Sequence, residues 1–207
     1  MIRDPRGRPA AFSEATDGDM RGDGSARDAM SRGLGVASEW ASVTQVHGSR
    51  VVYADQPGNM GEADAVWTDK PGLPLAIFTA DCLGLVVGGR DAVGVGHAGW
   101  RGVAAAVGSN LVRVMTEAGH DPAWGAVGPG IASCCFEVGD EVVTAMATPP
   151  ATTSWGTVSV DLVQELASQL GDLDLWFVGA CTHHEERWFS HRRNATPARL
   201  VTLGWVP

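Results

Sequence analysis

Apolar positions along this chain change their spacing twice. Between residues 42 and 96 they fall in short compact runs bounded by Gly, Asp and Pro, the pattern of buried strands. These runs predict strands at Ser42–Val46, Arg50–Tyr53, Ala65–Trp67, Leu75–Thr79, Leu83–Val87 and Ala92–Gly96. The period then lengthens. Val103, Val107, Leu111, Val114, Met115 and Ala118 share one helical face, and Gly119 supplies the stop. A further strand is expected at Trp124–Val127, followed by the loop GPGIASCC and a short helix from about Gly139 to Ala147. After a PPATTS linker, Asp161 opens DLVQELASQLG, where Asp-x-x-Gln resembles a capping box and Gly171 closes the helix. Two last strands, Leu175–Val178 and Arg199–Gly204, flank the polar segment CTHHEERWFSHRRN. Residues 1–35 are rich in Gly, Asp and Arg, with one short helix expected from Ser25 to Arg32. Strands come first in a cluster and helices are few. The pattern predicts an α+β fold: a mixed β-sheet core flanked by helices, in a single compact domain over 1–207.

Composition narrows the function classes. The net charge is −9, and no cluster of Lys and Arg offers a surface for tracking phosphates, so nucleic-acid binding is not expected. No apolar stretch approaches membrane-spanning length, and the N-terminus lacks a signal-peptide core, so a cytoplasmic location is expected with no membrane partner. In that compartment the four cysteines are read as thiols or ligands rather than disulfides. Of the adjacent Cys134 and Cys135, at least one is expected simply to pack.

Candidate chemistry gathers in three glycine-flanked segments: His47 in TQVHG, Cys82 in FTADCLGLVV and His97 in VGVGHAGWRG. Two imidazoles and a thiolate suit Zn²⁺, and three ligands leave a tetrahedral ion one open position. Their wide separation excludes a finger-type loop and calls for a folded scaffold. Asp81, beside Cys82, fits an orienter of an imidazole or a general base, and Cys82 itself also fits a nucleophile. In GHAGWRG a strand gives way to a helix start, where unpaired N–H groups and Arg101 can converge on an anion. The late segment carries Cys181, His183, His184, His191, Arg192 and Arg193, which fit a fourth ligand, a substrate contact or a polar rim. Taken alone, these residues support a metalloenzyme, a metal-free cysteine hydrolase, or a zinc-stabilised binding module closed by Cys181 or His183.

Together the motifs TQVHG, ADAVWT, TADCLGLVV, GHAGWRG, GPGIASCCFEVGDEV and the late CT…FSHRR…R resemble the YfiH-type laccase-domain family, from about Val43 to Trp205. The resemblance implies a mixed β core with helices and a zinc site at His47, Cys82 and His97, with copper the alternative metal. It implies phosphorolysis of adenosine, inosine, guanosine and methylthioadenosine, and deamination of adenosine. The partners would then be a purine nucleoside and phosphate, taken by a monomer or weak homodimer. On this reading Asp81, Cys82 and Arg101 are the catalytic candidates, and Gly99, Trp100, His183 and Arg192 the substrate contacts. The family's older designation as a copper-dependent polyphenol oxidase sits poorly with six histidines, too few for a multicopper cluster. The N-terminal 1–35 segment, with AFSEATDGDMRGD, departs from the arginine- and glycine-containing opening of many members.

Overall fold

The structure, a computed structural model, describes residues 1–22 and 24–207; Asp23, inside the divergent N-terminal segment, lies outside them. Two six-stranded sheets lie face to face. The first runs in the order β1 (Ile2–Arg3), β2 (Ala10–Phe12), β14 (Leu200–Gly204), β7 (Leu75–Thr79), β3 (Ala41–Thr44), β5 (Gly58–Glu62). The second runs β13 (Asp174–Phe177), β10 (Trp124–Val127), β8 (Leu83–Gly88), β9 (Val93–Ala98), β6 (Ala65–Thr68), β4 (Val51–Tyr53). Both are mixed: β3 pairs parallel with β5 and β7, and β13 and β4 pair parallel with their neighbours, while β8 and β9 are antiparallel. The expected α+β arrangement is therefore what the chain forms.

Strand alternation sorts the apolar residues into layers. In β7, Leu75 and Ile77 point between the sheets, while Ala76 and Phe78 point outward with Met20, Met30 and Trp40 under helix α1 (Ser25–Leu34). In β8, Val86 faces the inter-sheet layer, whereas Leu83, Leu85 and Val87 face the helices α2 (Trp100–Ala104), α3 (Val107–Glu117) and α5 (Leu162–Ser168). Leu111, Met115 and Leu166 are fully buried there, each contributing roughly 1.5–3 kcal/mol of apolar burial. Both faces of the central strands are thus covered, which explains their near-continuous apolar runs. The close approach of the sheets needs Gly84, because a Cβ at that position would fall on Thr202 Oγ1.

The helix expected across Val103–Ala118 is broken in two. Ala106 takes φ 60°, a left-handed conformation unfavourable for alanine by roughly 1–2 kcal/mol. Gln169 fills the break: its Nε2 donates to Val103 O at 2.7 Å, and its Oε1 accepts from Gly108 N at 3.2 Å. That side chain satisfies the backbone groups left by both helix ends. The PPATTS linker holds half of a small hairpin, β11 (Ala151–Thr152) with β12 (Val158–Ser159), after helix α4 (Asp140–Ala145). In the last polar segment α6 (His191–Asn194) forms one turn, and Arg193 donates to the carbonyls of Thr182, His183, Glu185 and Trp188. Glu185, Glu186 and Arg187 are exposed, as expected for a solvated face.

Candidate metal centre and substrate cleft

Sheet register assembles the centre. Leu83 pairs with Ala98 and Gly84 with His97, so Cys82, one residue before β8, comes opposite Gly99. On the other side of β9, Ala65 pairs with Gly96, which sets Asp64 beside His97. His47 arrives on the loop between β3 and β4. The ligand atoms of His47, Cys82 and His97 lie within 4.8 Å of one another, and the two imidazole rings meet edge to face at 4.8 Å. Gly99 is required here: a Cβ would stand 3.0 Å from Cys82 Sγ and 3.3 Å from His47 Cδ2.

Asp64 holds this centre together and is the residue that sequence reading passed over. Its side chain is wholly buried. Oδ1 lies 2.8 Å from His97 Nδ1 and accepts from His47 N at 2.9 Å; Oδ2 accepts from Gly48 N at 2.6 Å and Val46 N at 3.3 Å. Burial pushes its carboxyl up, but His97 and these N–H groups outweigh it and hold it below the ordinary carboxylate value. The same bonds fix His47 at φ 62°, a conformation histidine rarely adopts. With Nδ1 engaged, His97 presents Nε2 toward Cys82. Burial raises the Cys82 thiol, yet hydrogen bonds with His47 and His97 bring it down to about 7. Burial lowers His97, while Asp64 and Cys82 more than offset this and lift it to about 9. A thiolate and two imidazoles, one backed by a buried carboxylate, match a zinc donor set. Among the described residues no fourth His, Cys, Asp or Glu joins this group, and Cys134, Cys135 and Cys181 cluster with one another instead.

The centre opens into a cleft of about 380 Å³ that Asp81, Ile131, Phe136, His191 and Arg192 line on one side and Arg21, Gln45, Phe78 and Arg199 on the other. Gln45 is fixed by a two-way bond with the Phe78 backbone, 2.8 Å and 2.9 Å long. Asp81 does not orient an imidazole. Its Oδ1 accepts from Thr182 Oγ1 at 2.7 Å and its Oδ2 from Arg192 N at 2.6 Å, which ties the Cys82 loop to α6. Arg192 reaches the cleft with one guanidinium nitrogen donating to Glu137 O at 2.9 Å.

Gly99 lies against the centre without lining the cleft, and three other expected residues stand apart from both. Arg101 is turned to solvent because Gly102 and Val103 take the buried face of α2; its guanidinium lies over Trp100 and 3.8 Å from Glu141. Trp100 packs against the helix-side core, and His183 sits beside Trp155. The arginines that do reach the cleft are Arg21, Arg192 and Arg199. Arg21 comes from the divergent N-terminal segment; burial, then the like charges of Arg199 and Arg27, lower its guanidinium from the ordinary value. Concentrated positive charge in a chain of net charge −9 was invisible in composition.

Residues 17–207 match the family described as multi-copper polyphenol oxidoreductase laccase. The chain is 37% identical over 182 residues to a purine nucleoside phosphorylase of Deinococcus radiodurans, covering 82% of this chain and 71% of that protein. It is 34% identical to a purine nucleoside phosphorylase of Streptomyces griseus, over 95% of this chain and 89% of the relative. Among solved structures, YlmD from Geobacillus stearothermophilus superposes with a TM-score of 0.86 at 25% identity, spanning 99% of this chain and 94% of that one.

Proposed function

Because the chain belongs to the multi-copper polyphenol oxidoreductase laccase family, we propose that it is a purine nucleoside phosphorylase working in the cleft beside His47, Cys82 and His97. The substrates are adenosine, inosine, guanosine and methylthioadenosine with inorganic phosphate, and adenosine is also deaminated: water oxygen bonds to C6 as the C6–N bond breaks, releasing ammonia and inosine. The observation that carries the reading is the meeting of the three-ligand centre with Arg21, Arg192 and Arg199 in one cleft of about 380 Å³. Names borne by relatives such as the Deinococcus radiodurans protein support it.

In phosphorolysis a phosphate oxygen forms a bond to ribose C1′ while the C1′–N9 bond breaks, and its electron pair leaves with the purine. Two needs follow: an anion holder beneath the sugar and a fixed place for the base. Arg21 and Arg199 supply the first, because an anion relieves their mutual repulsion and a guanidinium grips phosphate through paired N–H bonds. Phe78 and Phe136 offer apolar walls for the base, and Arg192 lies against the Phe136 ring. His191 lines the same cleft, and we assign to it the proton that the departing purine takes up. Zinc bound by His47, Cys82 and His97 would supply Lewis-acid polarisation of a substrate atom at the open position. The chain's own contribution is to hold the donor set in place: Asp64 spends its acceptors on His97 and the His47 loop.

The test is release of hypoxanthine and ribose 1-phosphate from inosine by purified, metal-analysed protein across a phosphate series. Removing one charge-assisted phosphate contact costs about 1.5–3 kcal/mol, so Arg199→Ala should raise the phosphate KM roughly ten- to a hundredfold. Arg101→Ala should leave it unchanged. Release of hypoxanthine from inosine by the wild type without phosphate, or a larger effect at Arg101 than at Arg199, would reject this assignment.

A further inference from the structure

The three cysteines outside the cleft form a second donor set. Cys134 Sγ and Cys135 Sγ are 3.4 Å apart, and together with Cys181 the sulfurs lie within 4.8 Å of one another. The segments that carry them are stitched together. Gly130 bridges to Cys181, Thr182 N donates to Gly130 O, and Ser154 N donates to Cys134 O. Ala132 N–H points at Cys181 Sγ from 3.4 Å, so this sulfur accepts a backbone donor rather than packing against apolar atoms alone. Cys134 is half-buried and, with Cys181, borders a cavity of about 470 Å³ that shares no lining residue with the cleft over His47. An entry path for a small ion therefore exists.

We propose that Cys134, Cys135 and Cys181 bind a soft monovalent d¹⁰ cation, Cu(I), at an all-sulfur site separate from the His47–Cys82–His97 centre. Four sulfurs around zinc at about 2.3 Å would stand roughly 3.8 Å apart, so the observed spacing is of metal-site size. The donor type decides between ions. The first centre mixes one sulfur with two imidazoles, a set suited to borderline zinc, whereas three sulfurs with no other His, Cys, Asp or Glu in the group among the described residues suit a soft three-coordinate ion. The site demands reduced thiols and binds with release of their protons.

The experiment is anaerobic titration of the full chain with Cu(I), using bicinchoninate as competitor and X-ray absorption to read the coordination shell. Cys82→Ser silences the first centre, so this variant should still bind one equivalent in a sulfur-only shell. Adding Cys134→Ser should weaken that equivalent by at least about a hundredfold, beyond the loss typical of an outer-sphere change. Cys181 is buried and its substitution risks misfolding. The half-buried Cys134 is therefore the deciding position, with circular dichroism and the thermal midpoint as controls. Failure of the Cys82→Ser protein to hold copper, indifference to Cys134→Ser, nitrogen in the shell, or displacement by equimolar zinc would each overturn the proposal.

Discussion

Asp64→Asn tests whether one buried carboxylate organises the candidate metal centre. The substitution keeps shape and volume but turns one acceptor oxygen into an NH₂ donor. Oδ1 faces His97 Nδ1 and His47 N, and Oδ2 faces Gly48 N and Val46 N, so neither amide orientation avoids setting a donor against donors. The mildest outcome places the amide oxygen at Oδ1 and loses the 2.6 Å bond from Gly48 N. Hydrogen bonds to a charged acceptor contribute about 1.5–3 kcal/mol, and an unsatisfied buried donor adds a desolvation cost of about 1–3 kcal/mol. The expected destabilisation is therefore roughly 3 kcal/mol. For a domain of this size each kcal/mol moves Tm by about 2–4 °C, so the midpoint should fall by roughly 6–12 °C. Zinc affinity should drop about ten- to a hundredfold, as it does when a ligating histidine loses its carboxylate. Calorimetry and chelator competition measure the two effects. A variant matching the wild type in both would show that the Asp64 network neither holds the His47 loop nor backs His97.

Gly99→Ala should cost metal affinity with little loss of fold, because the new Cβ meets Cys82 Sγ at 3.0 Å and His47 Cδ2 at 3.3 Å rather than core; chelator competition beside a melting curve separates the two. Gly84→Ala should do the reverse and lower stability by more than about 2 kcal/mol, since its Cβ collides with Thr202 between the sheets; urea unfolding reads it. Glu165 gives a pH signature. Burial raises its carboxyl, but the donors of Thr148 and Ala147 outweigh this and hold it below the ordinary value of 4.5. A depressed folded pKa stabilises the fold above pH 4.5 and loses that contribution as the pH falls through the folded value. The stability lead of wild type over Glu165→Gln should therefore be full at pH 7 and close in acid, and a lead independent of pH would show that the carboxylate charge plays no part.

The strands legible in the sequence were those buried on both faces. Leu75–Thr79 and Leu83–Gly88 carry continuous apolar runs because one side meets the other sheet and the other side meets helices. Strand β5, GNMGE, carries no such signal; it is an edge strand held by its pairing with β3, a long-range fact. The break at Ala106 was equally hidden, since its cause is Gln169, sixty-one residues away from Gly108. His47, Cys82 and His97 could be picked out because ligand chemistry limits the choice of residue types and their glycine settings were distinctive. Asp64 had only a weak mark, a lone acid directly before the buried run Ala65–Thr68. Arg101 lies on the solvent side of α2, an orientation that a cation at a helix start does not reveal in sequence.

The register that makes the fold also sets the chemistry. Cys82 reaches Gly99 only because Leu83 pairs with Ala98, and Asp64 reaches His97 only because Ala65 pairs with Gly96. A slip of one residue in either ladder would turn His97 to the opposite face of the sheet and leave Asp64 buried without its partners. The unfavourable conformations of His47 at φ 62° and Asp81 at φ 87° flank this register, and each is tied down by bonds from another segment. Strain is thus held by long-range contacts rather than by local propensity. The centre needs β6, β8 and β9 in register, so its ligand geometry depends on the same pairing that builds the second sheet.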